Sequence, residues 1–205
     1  PQIHALMKID PKYKSIGILG ARTGAGPHIF AADEAVKATN TEIVTIELPR
    51  DTKGGAGHGS LIVFGAVDVS DARRAVEVAL AELDRTFGDV YANDAGHLEF
   101  QYTARASYAL NKAFGAPLGK SFGITVGAPA AIGVVLADTA VKASTIDVIG
   151  YSSPAAGTSY SNEVISFFSG DSGAVRQAII AAREVGRGLL GSLGAYPESV
   201  TTPYI

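Results

Sequence analysis

The sequence predicts an α/β protein of the α+β sandwich type, one domain written twice in tandem. Three internal matches carry that prediction. Pro11-Lys-Tyr-Lys-Ser-Ile-Gly-Ile18 aligns with Pro117-Leu-Gly-Lys-Ser-Phe-Gly-Ile124 at an offset of 106, with five of eight positions identical. Ala32-Asp-Glu-Ala-Val-Lys-Ala38 aligns with Ala137-Asp-Thr-Ala-Val-Lys-Ala143 at an offset of 105, with six of seven identical. Ala72-Arg-Arg-Ala-Val76 aligns with Val175-Arg-Gln-Ala-Ile179. The shared order and near-constant offset make residues 1 to about 86 the counterpart of about 107 to 189.

Each copy repeats one series of elements. A short apolar strand (Ser15 to Gly20; Ser121 to Gly127) leads into a helix (Pro27 to Thr39; Pro129 to Ser144). Pro27 and Pro129 suit a first helical turn, where a missing N–H costs nothing. A strand follows (Glu42 to Leu48; Ile146 to Ser152), then a Gly/Ser-rich loop and another strand (Ser60 to Ala66; Glu163 to Ser169). A long amphipathic helix closes each unit (Ser70 to Thr86; Ser172 to Leu193). In the first of these, Ala72, Ala75, Val76, Ala79, Leu80 and Leu83 recur at the helical period. Phe87 to Gly96 reads as a polar connector, dividing the chain into domains 1–88 and 97–205. Leu98 to Arg105 reads as an extra strand opening the second copy, before a short helix at Tyr108 to Phe114. That helix has a counterpart at Gln2 to Lys8, but the strand has none, so the first copy's opening strand is expected upstream of Pro1.

Composition narrows the function. The 205 residues are 47% hydrophobic and only 18% charged, too little charge for a surface wetted on every side, so part of that surface is expected to be covered. A net charge of −3 with no basic run argues against nucleic acid. The absence of cysteine excludes disulfides, thiolate metal sites and cysteine nucleophiles. No apolar run approaches the roughly 18 residues of a membrane span.

Several motifs invite a chemical reading and lose it on inspection. Gly170-Asp-Ser-Gly173 resembles a serine-protease nucleophile segment, but Asp171 and Ser172 stand where a helix begins and are favoured caps there. Gly20-Ala-Arg-Thr-Gly24-Ala-Gly26 lies between a strand and a helix, yet its spacing fits neither dinucleotide nor P-loop fingerprints. His4, His28, His58 and His97 show no zinc spacing and no i,i+4 carboxylate partner, and nothing requires a cofactor or a metal. The Lys53-Gly-Gly-Ala-Gly-His-Gly59 loop exposes backbone donors and acceptors and lets chains approach closely. Its counterpart, Pro154 to Glu163, is rich in small and hydroxylated residues. Equivalent loops in equivalent domains would surround a shared axis if the domains pack in a ring.

Taken together, Ser-Ile-Gly-Ile-Leu-Gly-Ala-Arg-Thr-Gly-Ala-Gly (15–26), Ala-Ala-Asp-Glu-Ala-Val-Lys-Ala (31–38), Lys-Gly-Gly-Ala-Gly-His-Gly (53–59), Gly-Asp-Val-Tyr-Ala-Asn-Asp-Ala-Gly-His (88–97) and Gly-Tyr-Ser-Ser-Pro-Ala-Ala-Gly-Thr-Ser (150–159) resemble the tandem-domain shell proteins of bacterial microcompartments. The resemblance covers essentially the whole chain. It implies two circularly permuted microcompartment domains, a homotrimer that mimics a hexamer, and a flat tile packed beside other shell proteins in a cytoplasmic compartment. It further implies pores for small polar metabolites such as propanediol or glycerol, and contact with encapsulated cargo enzymes. Carried over by position, the pore segments comprise Gly54, Gly55, Gly57, His58 and Ser60 with Gly157, Thr158, Ser159, Tyr160, Asn162 and Glu163. Lys37, Lys142 and Arg105 match residues at the tile edge.

Two other readings use the same residues. One is an α/β enzyme holding an anionic substrate at Arg22-Thr-Gly; the other is a trimeric sensor with a small-molecule site between its domains. A duplicated enzyme usually keeps its catalytic loop in one copy only. Here both copies keep small-residue loops, which favours a ring.

Overall fold

The computed structural model describes residues 2–22, 24–48, 59–153 and 162–205. The first copy comprises α1 (Gln2–Leu6), β1 (Ser15–Ala21), α2 (Ala25–Ala38), β2 (Glu42–Glu47), β3 (Ser60–Ala66) and α3 (Val69–Thr86). The second comprises β4 (Val90–Asn93), β5 (Gly96–Thr103), α4 (Tyr108–Phe114), β6 (Ser121–Ala128), α5 (Ala130–Ala143), β7 (Asp147–Ser152), β8 (Val164–Gly170), α6 (Ser172–Gly191) and β9 (Glu198–Ser199).

The repeat in sequence is a repeat in register. The first sheet has the order β1-β3-β2 and the second β7-β8-β6-β5-β4-β9, with every pairing antiparallel. Ser15 faces Ala66 across β1 and β3, as Ser121 faces Gly170 across β6 and β8. Both third strands carry the same irregularity, between Ile43 and Thr45 in β2 and between Val148 and Gly150 in β7. On α3 the buried stripe runs through Ala72, Ala75 and Ala79, and on α6 through Val175, Ala178, Ile179 and Ala182, as the helical period requires. Leu80 falls outside that stripe and is exposed.

Three sequence expectations change. The presumed connector contains β4, which forms a tight hairpin with β5 through Asp94 and Ala95, with Asn93 Oδ1 accepting from the Ala95 N–H. Pro129 does not occupy a first helical turn: it caps α5 with extended backbone, while Pro27 does lie in the first turn of α2. Asp171 caps α6, but its side chain makes no capping hydrogen bond. Residues 2–14 form α1 and turns, so no strand lies there, and β1 pairs with β3 alone among the described residues. In the second copy the equivalent edge of β6 is filled by β5.

The two copies share a core. Ile29, Phe30, Ile43 and Phe64 of the first pack in one cluster with Leu110, Phe122, Ile124 and Val126 of the second, and Phe30 stacks on Phe122 at 6.0 Å. Burying each such side chain stabilises by about 1.5–3 kcal/mol, so this seam is a fixed feature of the chain. A second cluster around Phe100, Leu136, Phe168 and Ile179 lies under α5 and α6.

The chain's end is tied back to the junction of the copies by Asp89. Its fully buried carboxylate accepts from Arg183 Nη1 at 2.8 Å, the Tyr91 hydroxyl at 3.1 Å, and the backbone N–H groups of Tyr204 at 2.9 Å and Ile205 at 3.0 Å. Burial and the adjacent carboxylate push the Tyr91 phenol up to about 12, so it remains a donor.

Candidate functional site

The seam brings the polar face of β5 against the first copy. Side chains alternate along a strand, so His97, Glu99, Gln101 and Thr103 point the same way. Gln101 donates to the Thr86 carbonyl at the end of α3, and Thr103 Oγ1 accepts from Lys37 at 3.1 Å. Glu99 abuts the start of α2, where a Cβ on Gly26 would lie 2.9 Å from its Oε2. The small side of α2 is therefore what lets a carboxylate reach its N-terminus, where the helix dipole favours negative charge.

Glu99 belongs to a buried cluster. His97 Nε2 lies 3.4 Å from Glu163 Oε2 and 3.9 Å from Glu99 Oε1, distances of ion pairs rather than well-formed hydrogen bonds. All three side chains are buried. Burial disfavours the imidazolium, but the Glu163 contact and both carboxylate charges outweigh it and raise the His97 pKa above its ordinary value.

Glu99 and Glu163 line a cavity of about 30 Å³ between the copies, with Ala25, Gly26, Leu48, Phe114, Ile124, Val126 and Ile165. That volume holds about one water molecule. Two of its lining residues, Leu48 and Glu163, stand next to the ends of the two loops that the sequence singles out. Gly54, Gly55, Gly57, His58, Gly157, Thr158, Ser159 and Tyr160 lie outside the described residues. Of the remaining sequence-assigned residues, Ser60 is buried in β3 and its hydroxyl has no hydrogen-bond partner among the described residues. Asn162 is exposed and its Oδ1 accepts from the Ala130 N–H at 3.2 Å. Glu163 joins His97, which lacks zinc spacing, and Glu99, which no sequence motif singles out, although their i,i+2 spacing on a strand puts the two on one face.

Sequence treats Lys37 and Lys142 as equivalents, yet their surroundings differ. Lys37 pairs with Glu34 at 3.0 Å and with Asp33, which is fully buried and also accepts from the Ser107 N–H of the second copy at 2.7 Å. Burial pushes the Asp33 carboxyl up, against the pull of Lys37. Lys142 pairs with an exposed Asp138 at 2.7 Å. Arg105 is exposed and lines a wide groove that also contains Lys37, Arg85 and Arg176, but not Lys142.

The enzyme-like motifs have structural explanations. Gly24 takes φ +81°, which an L side chain rarely adopts, and the Phe87 ring fills the space above it. Its carbonyl sits 2.7 Å from His28 Nδ1, so the turn is occupied by the protein itself. The Ser172 hydroxyl is hydrogen-bonded to the Tyr102 hydroxyl rather than to an imidazole. Among the described residues no group of three His, Asp or Glu side chains is arranged to hold a metal.

Comparison with known proteins places this architecture. The BMC domain family matches residues 15–94 and again residues 121–197. The bacterial microcompartment shell protein PduB of Citrobacter freundii is 70% identical over 97% of this chain and 74% of its own length. A crystal structure of a trimeric bacterial microcompartment shell protein PduB superposes with a TM-score of 0.93 at 51% identity, covering 98% of this chain and 90% of that one. EtuB from Clostridium kluyveri gives a TM-score of 0.95 at 55% identity, covering 100% of this chain and 90% of that one. Two domain matches on the two copies, with this identity along nearly the whole length, mean that the chain belongs to the bacterial microcompartment shell proteins, with two BMC domains in tandem.

Proposed function

We propose that three copies of this chain close into a tile of a cytoplasmic microcompartment shell, beside other shell proteins, and that each chain's seam is a route for small polar metabolites. The observation that carries the reading is the Glu99–Glu163 cavity between the copies, lined by Leu48 and Glu163, which stand next to the two equivalent loops in sequence. Glycine backbone groups, Thr158, Ser159, Tyr160, Asn162 and Glu163 would exchange hydrogen bonds with a diol one for one against water. At about one water in volume, the floor must widen for a diol to pass. Affinity on the order of millimolar, about −4 kcal/mol, suits passage because a tightly held solute would not leave. Propanediol utilisation fits the names of the PduB relatives, and propanediol and glycerol are the solutes to test first. Cargo enzymes behind the shell are part of the same proposal.

Soaking crystals with glycerol or 1,2-propanediol should give density at loops 53–60 and 155–163, and incubation of either diol with the pure protein should give no product. Turnover of a diol or an aldehyde would end the shell reading and restore the enzyme.

The edge assignment of Lys37, Lys142 and Arg105 belongs to this proposal, but the two lysines differ in what they contribute to the fold. Lys37→Ala strands the buried Asp33 carboxylate and is expected to lower stability by about 1–2 kcal/mol. Lys142→Ala removes an exposed pair worth below about 1 kcal/mol, so it should spare the trimer and abolish the sheets seen by electron microscopy. Intact sheets from Lys142→Ala would move the edge elsewhere. We further propose that a strand preceding residue 1 pairs with the edge of β1 that is unpaired among the described residues, as β5 does with β6.

A further inference from the structure

One atom of one imidazole stands against both buried carboxylates of the seam. His97 Nε2 lies 3.4 Å from Glu163 Oε2 and 3.9 Å from Glu99 Oε1, and all three side chains are buried. A proton on the imidazole sets a positive charge between two negative ones. Without it, two like charges face each other where repulsion is far stronger than in water. Among the described residues the titratable groups facing His97 are these two. β4 and β6 place Ala92 and Ala128 opposite it, and α2, which Glu99 abuts, opens with Ala25 and Gly26.

The two acids are anchored differently. Glu99 sits within β5 and is paired on both sides, with Val90 of β4 and Val126 of β6, and the start of α2 favours its charge. Glu163 precedes β8, whose ladder with β6 begins only at Val164. Relief of repulsion therefore falls to Glu163, whose backbone lies outside the ladder. Both carboxylates line the cavity of about 30 Å³ between the copies, so movement of Glu163 changes the size of that cavity directly.

We propose that His97 is a proton-operated catch on the seam: its imidazolium holds Glu163 beside Glu99 and keeps the cavity small, and loss of the proton to water frees Glu163 and widens the cavity. This rests on the reading of the seam as a metabolite route and gives that route a control. Burial disfavours the imidazolium, but the Glu163 contact and both carboxylate charges outweigh it and raise the His97 pKa. The catch is therefore shut below about pH 6.5 and opens as pH rises through the higher folded value.

The chain has no tryptophan, so Phe114→Trp puts a single indole on the cavity wall, at a half-buried position. Acrylamide, a neutral quencher close to a diol in size, then reads the opening. Quenching should rise severalfold from about pH 6 to about pH 9, with its midpoint at the titration of the His97 imidazole followed by NMR. Adding Glu163→Gln should flatten that rise by removing one of the two charges, and adding His97→Gln should flatten it because no imidazole proton remains to be lost. Amide exchange of the unaltered chain at Gly26 and Val164, corrected for its intrinsic pH dependence, reads the same opening without a substitution and should quicken over the same range. A His97 that titrates while quenching and exchange stay flat would overturn the catch, because a carboxylate would then have taken up the proton with the seam still shut. At high pH, 1,2-propanediol should compete with acrylamide. A pH-dependent opening indifferent to the diol would uphold the catch and defeat the metabolite route.

Discussion

Asp89→Ala is expected to lower the stability of the chain by about 3–5 kcal/mol, because it removes one partner of a buried ion pair. Asp89 is fully buried and its partner Arg183 is only 13% exposed, so the guanidinium cannot return to water without moving α6. The same substitution orphans the Tyr204 and Ile205 N–H groups and the Tyr91 hydroxyl. Each unsatisfied buried donor adds about 1–3 kcal/mol unless the tail leaves the surface to find water. Undocking is the cheaper response, so residues 194–205 should become protease-sensitive while β5, β6 and β8 remain protected. At about 2–4 °C per kcal/mol for a chain of this size, the melting temperature should fall by roughly 10 °C. Asp89→Asn keeps one acceptor and should fall less. A drop below about 2 °C for the alanine variant would show that the hub does not hold the tail.

Much of the fold is legible because the repeat checks each element against its twin. The limits of β3 and α4 agree to the residue with their periodicity. β4 escaped because four residues ending in Asn, followed by Asp-Ala-Gly, have the composition of a turn, and only pairing with β5 makes them a strand. β9 is two residues long and held by β4, so no local pattern announces it. The site was legible in its loops and illegible in its depth. Glu163 enters the site with the rest of its loop, but nothing local says that His97 and Glu99 lie within ion-pair distance of it. Testing histidines for helical and zinc spacing overlooks a strand, where i and i+2 share a face. Lys37 and Lys142 show the deeper limit. A repeat fixes the element that a residue stands on, whereas burial depends on what the next copy brings: Lys37 meets Thr103 and an Asp33 sealed by Ser107, besides a Glu34 that is Thr139 in the second copy.

Glu163→Gln should destabilise the chain by about 3 kcal/mol near pH 6 and by clearly less near pH 9. The reason lies in what His97 faces: Glu99 from its own strand and Glu163 from the start of β8. Burial alone would keep the imidazole neutral, and the two carboxylates reverse that outcome. A histidine whose folded pKa lies above its unfolded value of 6.5 contributes stability that is fully present below the unfolded value and lost as pH rises through the folded one. The unaltered chain should therefore lose stability on going upward from about pH 6.5, with the loss complete once the imidazole has deprotonated. In Glu163→Gln one carboxylate no longer opposes burial, so the imidazole deprotonates at lower pH and that decline disappears from the window. The cost of the substitution is thus the lost imidazolium–carboxylate attraction near pH 6, and it shrinks as rising pH takes the proton from His97. Thermal melts across this range, with the His97 imidazole followed by NMR, read both quantities. A cost that stays constant from about pH 6 to about pH 9, or a His97 titration midpoint at or below 6.5 in the unaltered chain, would mean that the seam does not hold a charged histidine.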